Sequence, residues 1–152
     1  MRCTTSQEKK ERFLSSPHFA VAGASQDQSR RASKILGWYR NKHMDVIPVH
    51  PKAKDLDGLR AVPSIANLPS PSTTALSIAT MPPVTLTLLQ QARTLSIPSI
   101  WIQPGAADQR VIDYIKSNDL SDRVIYGGPC ILSEGDGIVH GQWFDEIYDG
   151  QF

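Results

Sequence analysis

The 152-residue chain is poor in the residues that build disulfide frameworks and metal centres. It has two cysteines, Cys3 and Cys130, near opposite ends of the sequence. That pattern gives no disulfide scaffold and makes a reducing cytoplasmic setting the default expectation. No group of His, Cys, Asp and Glu has a recognisable ligand spacing, so no metal site is expected. Charge of one sign is also scarce. Sixteen Lys and Arg against fifteen Asp and Glu leave a formal net charge of +1, which gives nucleic acid and membrane surfaces no electrostatic footprint. No apolar run approaches the roughly 20 residues that cross a bilayer. The N-terminus lacks a hydrophobic signal core, and Glu8 and Glu11 dilute its basic residues. Internal repeats are absent. What remains is the length of one domain with a sizeable core, in a chain whose residues are 40% hydrophobic.

The organising stretch is His18–Ser25, HFAVAGAS. Phe19–Ala22 is an apolar run without polar alternation, as expected of a strand buried on both faces. Gly23 permits a sharp turn, and a helical pattern begins near Arg31. Strand, glycine turn and helix make the first half of a nucleotide-binding βαβ unit, whose helix N-terminus favours an anion. The full G-x-G-x-x-G fingerprint is missing, and a plain tight turn explains a single glycine equally well. Arg30, Arg31 and Lys34 cluster at the helix start against its dipole; a bound phosphate would offset that cost, while exposed cations are the bland alternative.

Before this unit, Thr5–Ser16 reads as a short polar helix docking Phe13 and Leu14. After it, Asp45–Pro51 is a second strand, irregular or ending near Pro48. Asp55–Asn67 reads as a loop with a helical turn around Pro63–Ala66, and Leu68–Ser72 as a connector. Ala75–Thr80 is a third strand, and Met81-Pro82-Pro83 opens a helix whose buried side holds Val84, Leu86, Leu88, Leu89, Ala92 and Leu95. Ile97–Gln103 is a fourth strand ended by Pro104-Gly105. A helix around Val111–Ile115 and a fifth strand at Arg123–Tyr126 follow, then Gly127–Cys130. Alternation at this spacing predicts an α/β fold with a doubly wound parallel sheet of about five strands flanked by helices. Ligands in such sheets bind beyond the carboxyl ends of the strands, where the strand order switches.

The second strand ends in His50, Pro51, Lys52 and Lys54, where a nicotinamide-binding unit would carry a ribose-binding carboxylate. Two ammonium groups there disfavour NAD and favour a phosphorylated adenosine ribose, meaning coenzyme A or NADP. Two solvated loop lysines are the other reading.

The pieces VAGAS, VIPVHPK, VPSIANLPSP, the MPP turn, WIQPG and the late Cys130, taken in order, resemble the small single-domain CoA-binding proteins. The likeness runs from about His18 to Leu132. That family's fold is similar to the CoA-binding domain of succinyl-CoA synthetase α subunits. The resemblance implies one Rossmann-like domain over 1–152, with a core of about 18–132 and an extension over 133–152. It implies that Gly23, Ala24 and Ser25 cradle the pyrophosphate, and that His50, Pro51 and Lys52 surround the adenosine, Lys52 near the 3′-phosphate. Thr80, Met81 and Pro82 would line the adenine and pantetheine side, and Gln103, Pro104 and Gly105 the far rim. The chain departs from the family pattern in carrying His50 for asparagine, His43 and Ser96 for glycines, and Gly128-Pro129 for an acidic–basic pair. The extension, with Trp143, Phe144 and Tyr148, reads as a covering segment or a self-association surface, the latter giving a homodimer.

Cys130 is the one candidate nucleophile, able in principle to attack a thioester or pair with a thiol. No histidine or carboxylate is tied to it, and a buried cysteine packing as a small hydrophobe is the commoner outcome. His18, His43, His50 and His140 are scattered, and Ser25 lacks a nucleophile elbow. The expected function is a non-catalytic binding, carrier or sensor module for CoA or an acyl-CoA. The alternatives are a small NADP-dependent oxidoreductase and a thiol- or thioester-reactive protein using Cys130.

Overall fold

A computed structural model of the chain describes residues 5–27, 29–128 and 130–138. In chain order the elements are α1 (Ser6–Leu14), β1 (His18–Ala22), α2 (Arg31–Asn41), β2 (Val46–Val49), the short strands β3 (Asp55–Leu56) and β4 (Leu59–Arg60), β5 (Thr74–Ile78), α3 (Pro82–Thr94), β6 (Ser99–Ile102), α4 (Gln109–Ser117), β7 (Val124–Ile125) and α5 over residues 131–138. Single 3₁₀ turns at Ile65–Asn67 and Pro71–Thr73 bridge β4 and β5.

Five strands form one parallel sheet in the order β2-β1-β5-β6-β7. Side chains alternate across the pleat, so each strand serves two cores. Ala20, Leu76, Ile78, Ile100 and Ile102 pack with Leu89, Ala92, Val111 and Ile115 of α3 and α4 and with Ile65 and Leu68. Phe19, Val21, Ala75, Trp101 and Ile125 face the other way, onto Phe13 of α1, Ile35, Leu36 and Tyr39 of α2, and Ile131 and Ile138 of α5. The strands are largely apolar, without strict alternation, because both faces are covered; Ser77 and Ser99 are buried polar exceptions.

Strand order reverses at β1. The chain leaves β1 for β2, then returns past β1 to β5, so the connections out of β1 and β5 lie on opposite faces and a crevice opens between their ends. Gly23 takes φ +110 there. Pro48 is tolerated because β2 is an edge strand: its carbonyl accepts from Val62 N (3.0 Å), and its nitrogen points the same way, away from β1.

Local signals account for the helix ends. Thr5 caps α1 by accepting from Glu8 N (3.1 Å), and Asp108 caps α4 by accepting from Val111 N (3.1 Å). Pro82 occupies the first turn of α3. Helices α2, α3 and α4 are each followed by a left-handed residue, namely His43 (φ 58), Ser96 (φ 59) and Asp119 (φ 55). Paired backbone bonds close α2 and α3, as in His43 N to Arg40 O and Met44 N to Tyr39 O, and Leu120 N to Ile115 O closes α4. His43 and Ser96 thus hold positions that glycine fills without steric cost.

One reading of the sequence needs correction. Asp55–Asn67 is not only a loop: Asp57-Gly58, with φ 51 and 77, turns β3 back onto β4 as an antiparallel hairpin. Residues 131–138, where the extension expected over 133–152 begins, form α5 and pack on the core. Ile131 and Ile138 are buried, Lys10 pairs with Glu134, Trp38 Nε1 donates to Asp136 (2.8 Å), and Lys42 reaches the same carboxylate (2.9 Å). Cys3, Pro129, His140, Trp143, Phe144 and Tyr148 lie outside the described residues, and with them the covering or self-association role.

Candidate functional site

The crevice at the β1/β5 switch holds a cavity of about 780 Å³. The loop Gly23–Asp27 and Arg30 form one wall, Val49–Pro51 and Pro63-Ser64 another, and Thr80, Val84 and Leu88 a third. Two further hollows adjoin it. An outer one of about 600 Å³ shares His50, Pro51 and Pro63 and adds Lys52, Lys54, Asp55 and Arg60. An inner one of about 350 Å³ shares Gly23, Arg30 and Thr80 and adds Arg31, Met81, Pro104 and Gly105. Together they make a groove along the carboxyl-terminal rim, from the exit of β2 to the exit of β6.

The glycine loop is fastened to the helix behind it. Ser25 N donates to Ser33 Oγ (3.3 Å), and that hydroxyl donates back to Ser25 O (3.1 Å). Asp27 accepts from the Ser29 hydroxyl (2.6 Å) and amide (3.0 Å), which hold its carboxyl below the usual carboxylate range; Arg30 stands 3.9 Å away. The N-cap of α2 is Arg30, with no side-chain cap and no acid in the first turn. Among the described residues no side chain caps its leading amides, the usual setting for an anion. Arg31 donates to the carbonyl of Pro104 and straps the helix start to the β6 exit.

His50 organises the outer hollow. Its Nδ1 accepts from the amides of Lys52 (3.0 Å) and Ala53 (2.8 Å) and closes a tight turn. Arg60 reaches the same hollow because β4 pairs with β3, Asp55 opposite Arg60. Three cations therefore face one carboxylate, Asp55, and no ion pair among the described residues joins them to it. Gln26 donates to Asp55 O (3.3 Å) and Arg40 pairs with Asp57 (3.0 Å), which anchors the hairpin beside the glycine loop.

Of the residues singled out in the sequence, Gly23, Ala24, Ser25, Arg30, Arg31, His50, Pro51, Lys52, Thr80, Met81, Pro104 and Gly105 line this groove. Lys34, Pro82, Gln103 and Cys130 line none of its three parts. Lys34 is exposed on α2. Gln103 is buried, its Oε1 accepting from Ile131 N (3.1 Å), while its Nε2 has no partner among the described residues. It is a strut between β6 and α5. Cys130 caps α5 through its carbonyl, which accepts from Ser133 N (3.1 Å) and Glu134 N (3.0 Å). Its thiol is half-buried and unpaired.

Sequence reasoning missed Arg60, Gln26, Pro63 and Ser64, and gave Val84 to the core. Val84 is 50% exposed on the groove side of α3, in line with Leu88 and Gln91 at helical spacing. The Asp57-Gly58 pair was the available signal for Arg60, since the turn folds it back toward Lys52 and Lys54.

The CoA binding domain family matches residues 17–136, most of the chain. The chain belongs to that family. Curated proteins offer no match. Among solved structures, this CoA-binding domain is similar to a conserved hypothetical protein from Pyrococcus furiosus, 25% identical with a TM-score of 0.69, covering 77% of this chain and 97% of that one. A Thermus thermophilus structure is 24% identical with a TM-score of 0.73, covering 88% and 98%. A Pyrococcus horikoshii OT3 hypothetical protein is 20% identical with a TM-score of 0.76, covering 91% and 97%. The last two show the fold alone. The family match reaches past Leu132 into α5, in keeping with that helix's place in the core.

The groove fits the group that the family name implies. Among the described residues it offers cations without an ion-pair partner at one end, helix amides without a side-chain cap in the middle, and an apolar flank of Pro63, Val84 and Leu88 between them. Among the described residues no cluster could hold a metal ion, and no helix is long and apolar enough to cross a membrane.

Proposed function

We propose that this CoA-binding domain holds coenzyme A or an acyl-CoA in the rim groove and acts as a cytoplasmic binding, carrier or sensor module without chemistry of its own. Lys52, Lys54 and Arg60 bind the 3′-phosphate of the adenosine ribose in the outer hollow. Pro63, Val84 and Leu88 supply the apolar surface for adenine. The amides of Gly23 and Ala24, the first turn of α2 and Arg30 hold the pyrophosphate, with Ser25 fastening the loop to α2. Thr80, Met81, Pro104 and Gly105 flank the path of the pantetheine arm toward the β6 exit. A bound thioester brings its own reactive carbonyl; among the described residues no two that line the groove form a nucleophile–base pair.

The observation that carries this reading is the cation cluster sharing His50 and Pro51 with the cavity beside the glycine loop. An NAD site would place a carboxylate at the ribose hydroxyls directly after β2; here that stretch is His50-Pro51-Lys52. Side-by-side thermal unfolding with CoA, NADP and NAD tests it. At about 100 times its dissociation constant, CoA adds ~2.7 kcal/mol of stability. Stabilisation by NADP with none from CoA overturns the assignment. Native mass spectrometry of freshly purified protein then identifies the molecule that travels with it.

A further inference from the structure

His50 sits where the central cavity and the outer hollow meet, and its ring is in use on one side only. Both groups bonded to Nδ1 are backbone N–H donors, so Nδ1 carries no proton. A neutral imidazole with a bare Nδ1 carries its hydrogen on Nε2. That N–H has no partner among the described residues, on a side chain that lines both compartments. The turn it closes is the one that presents Lys52 to the groove.

Resting on the function proposed above, we propose that His50 couples ligand binding to its own protonation. The neutral ring holds the 51–53 turn with Nδ1 and offers Nε2–H to a ribose or phosphate oxygen. A proton on Nδ1 removes the acceptor, releases both amides and lets Lys52 leave its place. The charged groups facing His50 are Asp27 and Arg30 from the loop and start of α2, Lys52 and Lys54 from its own turn, and Asp55 and Arg60 from the hairpin. Helix α3 contributes only uncharged side chains to this wall, Val84, Thr87, Leu88 and Gln91. Four cations against two carboxylates oppose an imidazolium in the ligand-free groove, whereas a bound phosphate attracts it. On this proposal, losing the turn, and Lys52 with it, outweighs that attraction, so acid weakens binding.

Asparagine is the informative replacement. Its side-chain oxygen accepts from amides two and three residues on, as Nδ1 does, and it does not titrate. CoA affinity is measured by calorimetry at about pH 8 and about pH 5, the range over which histidine changes charge, for the wild type and His50→Asn. The ratio of dissociation constants between the two pH values is expected to be about tenfold larger in the wild type, the worth of a hydrogen bond to a charged ligand. Protonation of the ligand's own phosphate is common to both proteins and cancels. Equal ratios, or tighter wild-type binding in acid, overturn the proposal. Imidazole ¹⁵N spectra of ligand-free protein supply a second readout: Nε2-protonated His50 at about pH 8, with the Lys52 and Ala53 amides shifting as His50 charges. A ring protonated on Nδ1 at that pH overturns it even if CoA binds. Should the spectra agree while CoA fails to bind the wild type, the functional reading falls, and the ligand half of this proposal with it.

Discussion

The carbonyl oxygen of Ala79 occupies the space where Gly23 would carry a side chain: a Cβ there would lie 2.4 Å from it. At the floor of the crevice the two backbones are therefore in contact. Gly23 also has φ +110, which side chains disfavour. Gly23→Ala must separate the ends of β1 and β5, costing about 3 kcal/mol of unfolding free energy from strain and steric clash. Chemical denaturation measures the loss, and calorimetry with CoA is expected to show binding lost with it. An unchanged midpoint would mean the two strands do not meet as described.

Lys52 and Arg60 lie on separate segments but share one hollow. Lys52→Ala and Arg60→Ala are each expected to weaken CoA about tenfold, the scale of one charge-assisted hydrogen bond, and to leave dephospho-CoA nearly unaffected. Parallel titrations with the two ligands decide. Equal weakening of both places these cations elsewhere than at the 3′-phosphate.

Tyr39 and Ser77 are fully buried and share a hydrogen bond of 2.8 Å between α2 and β5. Tyr39→Phe or Ser77→Ala strands the surviving hydroxyl and is expected to cost about 1–3 kcal/mol. The double variant costs less than the sum of the two, and a denaturation cycle reads the difference.

Burial also raises the Tyr39 phenol above its ordinary 10.0, against the smaller opposing effect of Ser77. A raised acid stabilises the fold while the unfolded chain keeps its own proton. Stability therefore holds below about pH 10 and falls above it, by ~1.4 kcal/mol per pH unit. Tyr39→Phe removes that part of the alkaline slope. An identical slope in the variant would assign alkaline unfolding to other groups.

His43 and Ser96 adopt left-handed conformations at helix ends. His43→Gly and Ser96→Gly are each expected to stabilise by about 0.5–1 kcal/mol, the steric relief less the added freedom of the unfolded chain. Melting temperatures of the two variants and their combination check this. A fall in either shows that its side chain makes a contact worth more than the strain.

The sheet was legible because its strands are continuous apolar runs, and strands covered on both faces need no alternation. The glycine loop and the lysines after β2 were legible for the same reason, since they stand where runs end. Observed strands are shorter than the runs: β5 stops at Ile78 and β6 starts at Ser99, where pairing rather than hydropathy sets the boundary. The hairpin escaped because two-residue strands carry no periodicity, and Arg60's place in the groove depends on it. Helix α5 escaped because Glu134 and Asp136, which anchor it to Lys10, Trp38 and Lys42, read as surface residues until the partners are seen. Val84 was assigned inward because helical spacing does not say which of two adjacent stripes meets the sheet.

Helices α1 and α5 meet through Lys10 and Glu134, 124 positions apart, over the sheet edge carrying β6 and β7. A contact of that span forms only after most of the chain between has been gathered, since long loops close at an entropic cost. The β1–α2–β2 unit, which carries the glycine loop and His50, is local by comparison. Refolding is thus expected to assemble the ligand-facing half first and latch the helical seam last, and hydrogen exchange at equilibrium to find that seam opening ahead of the crevice.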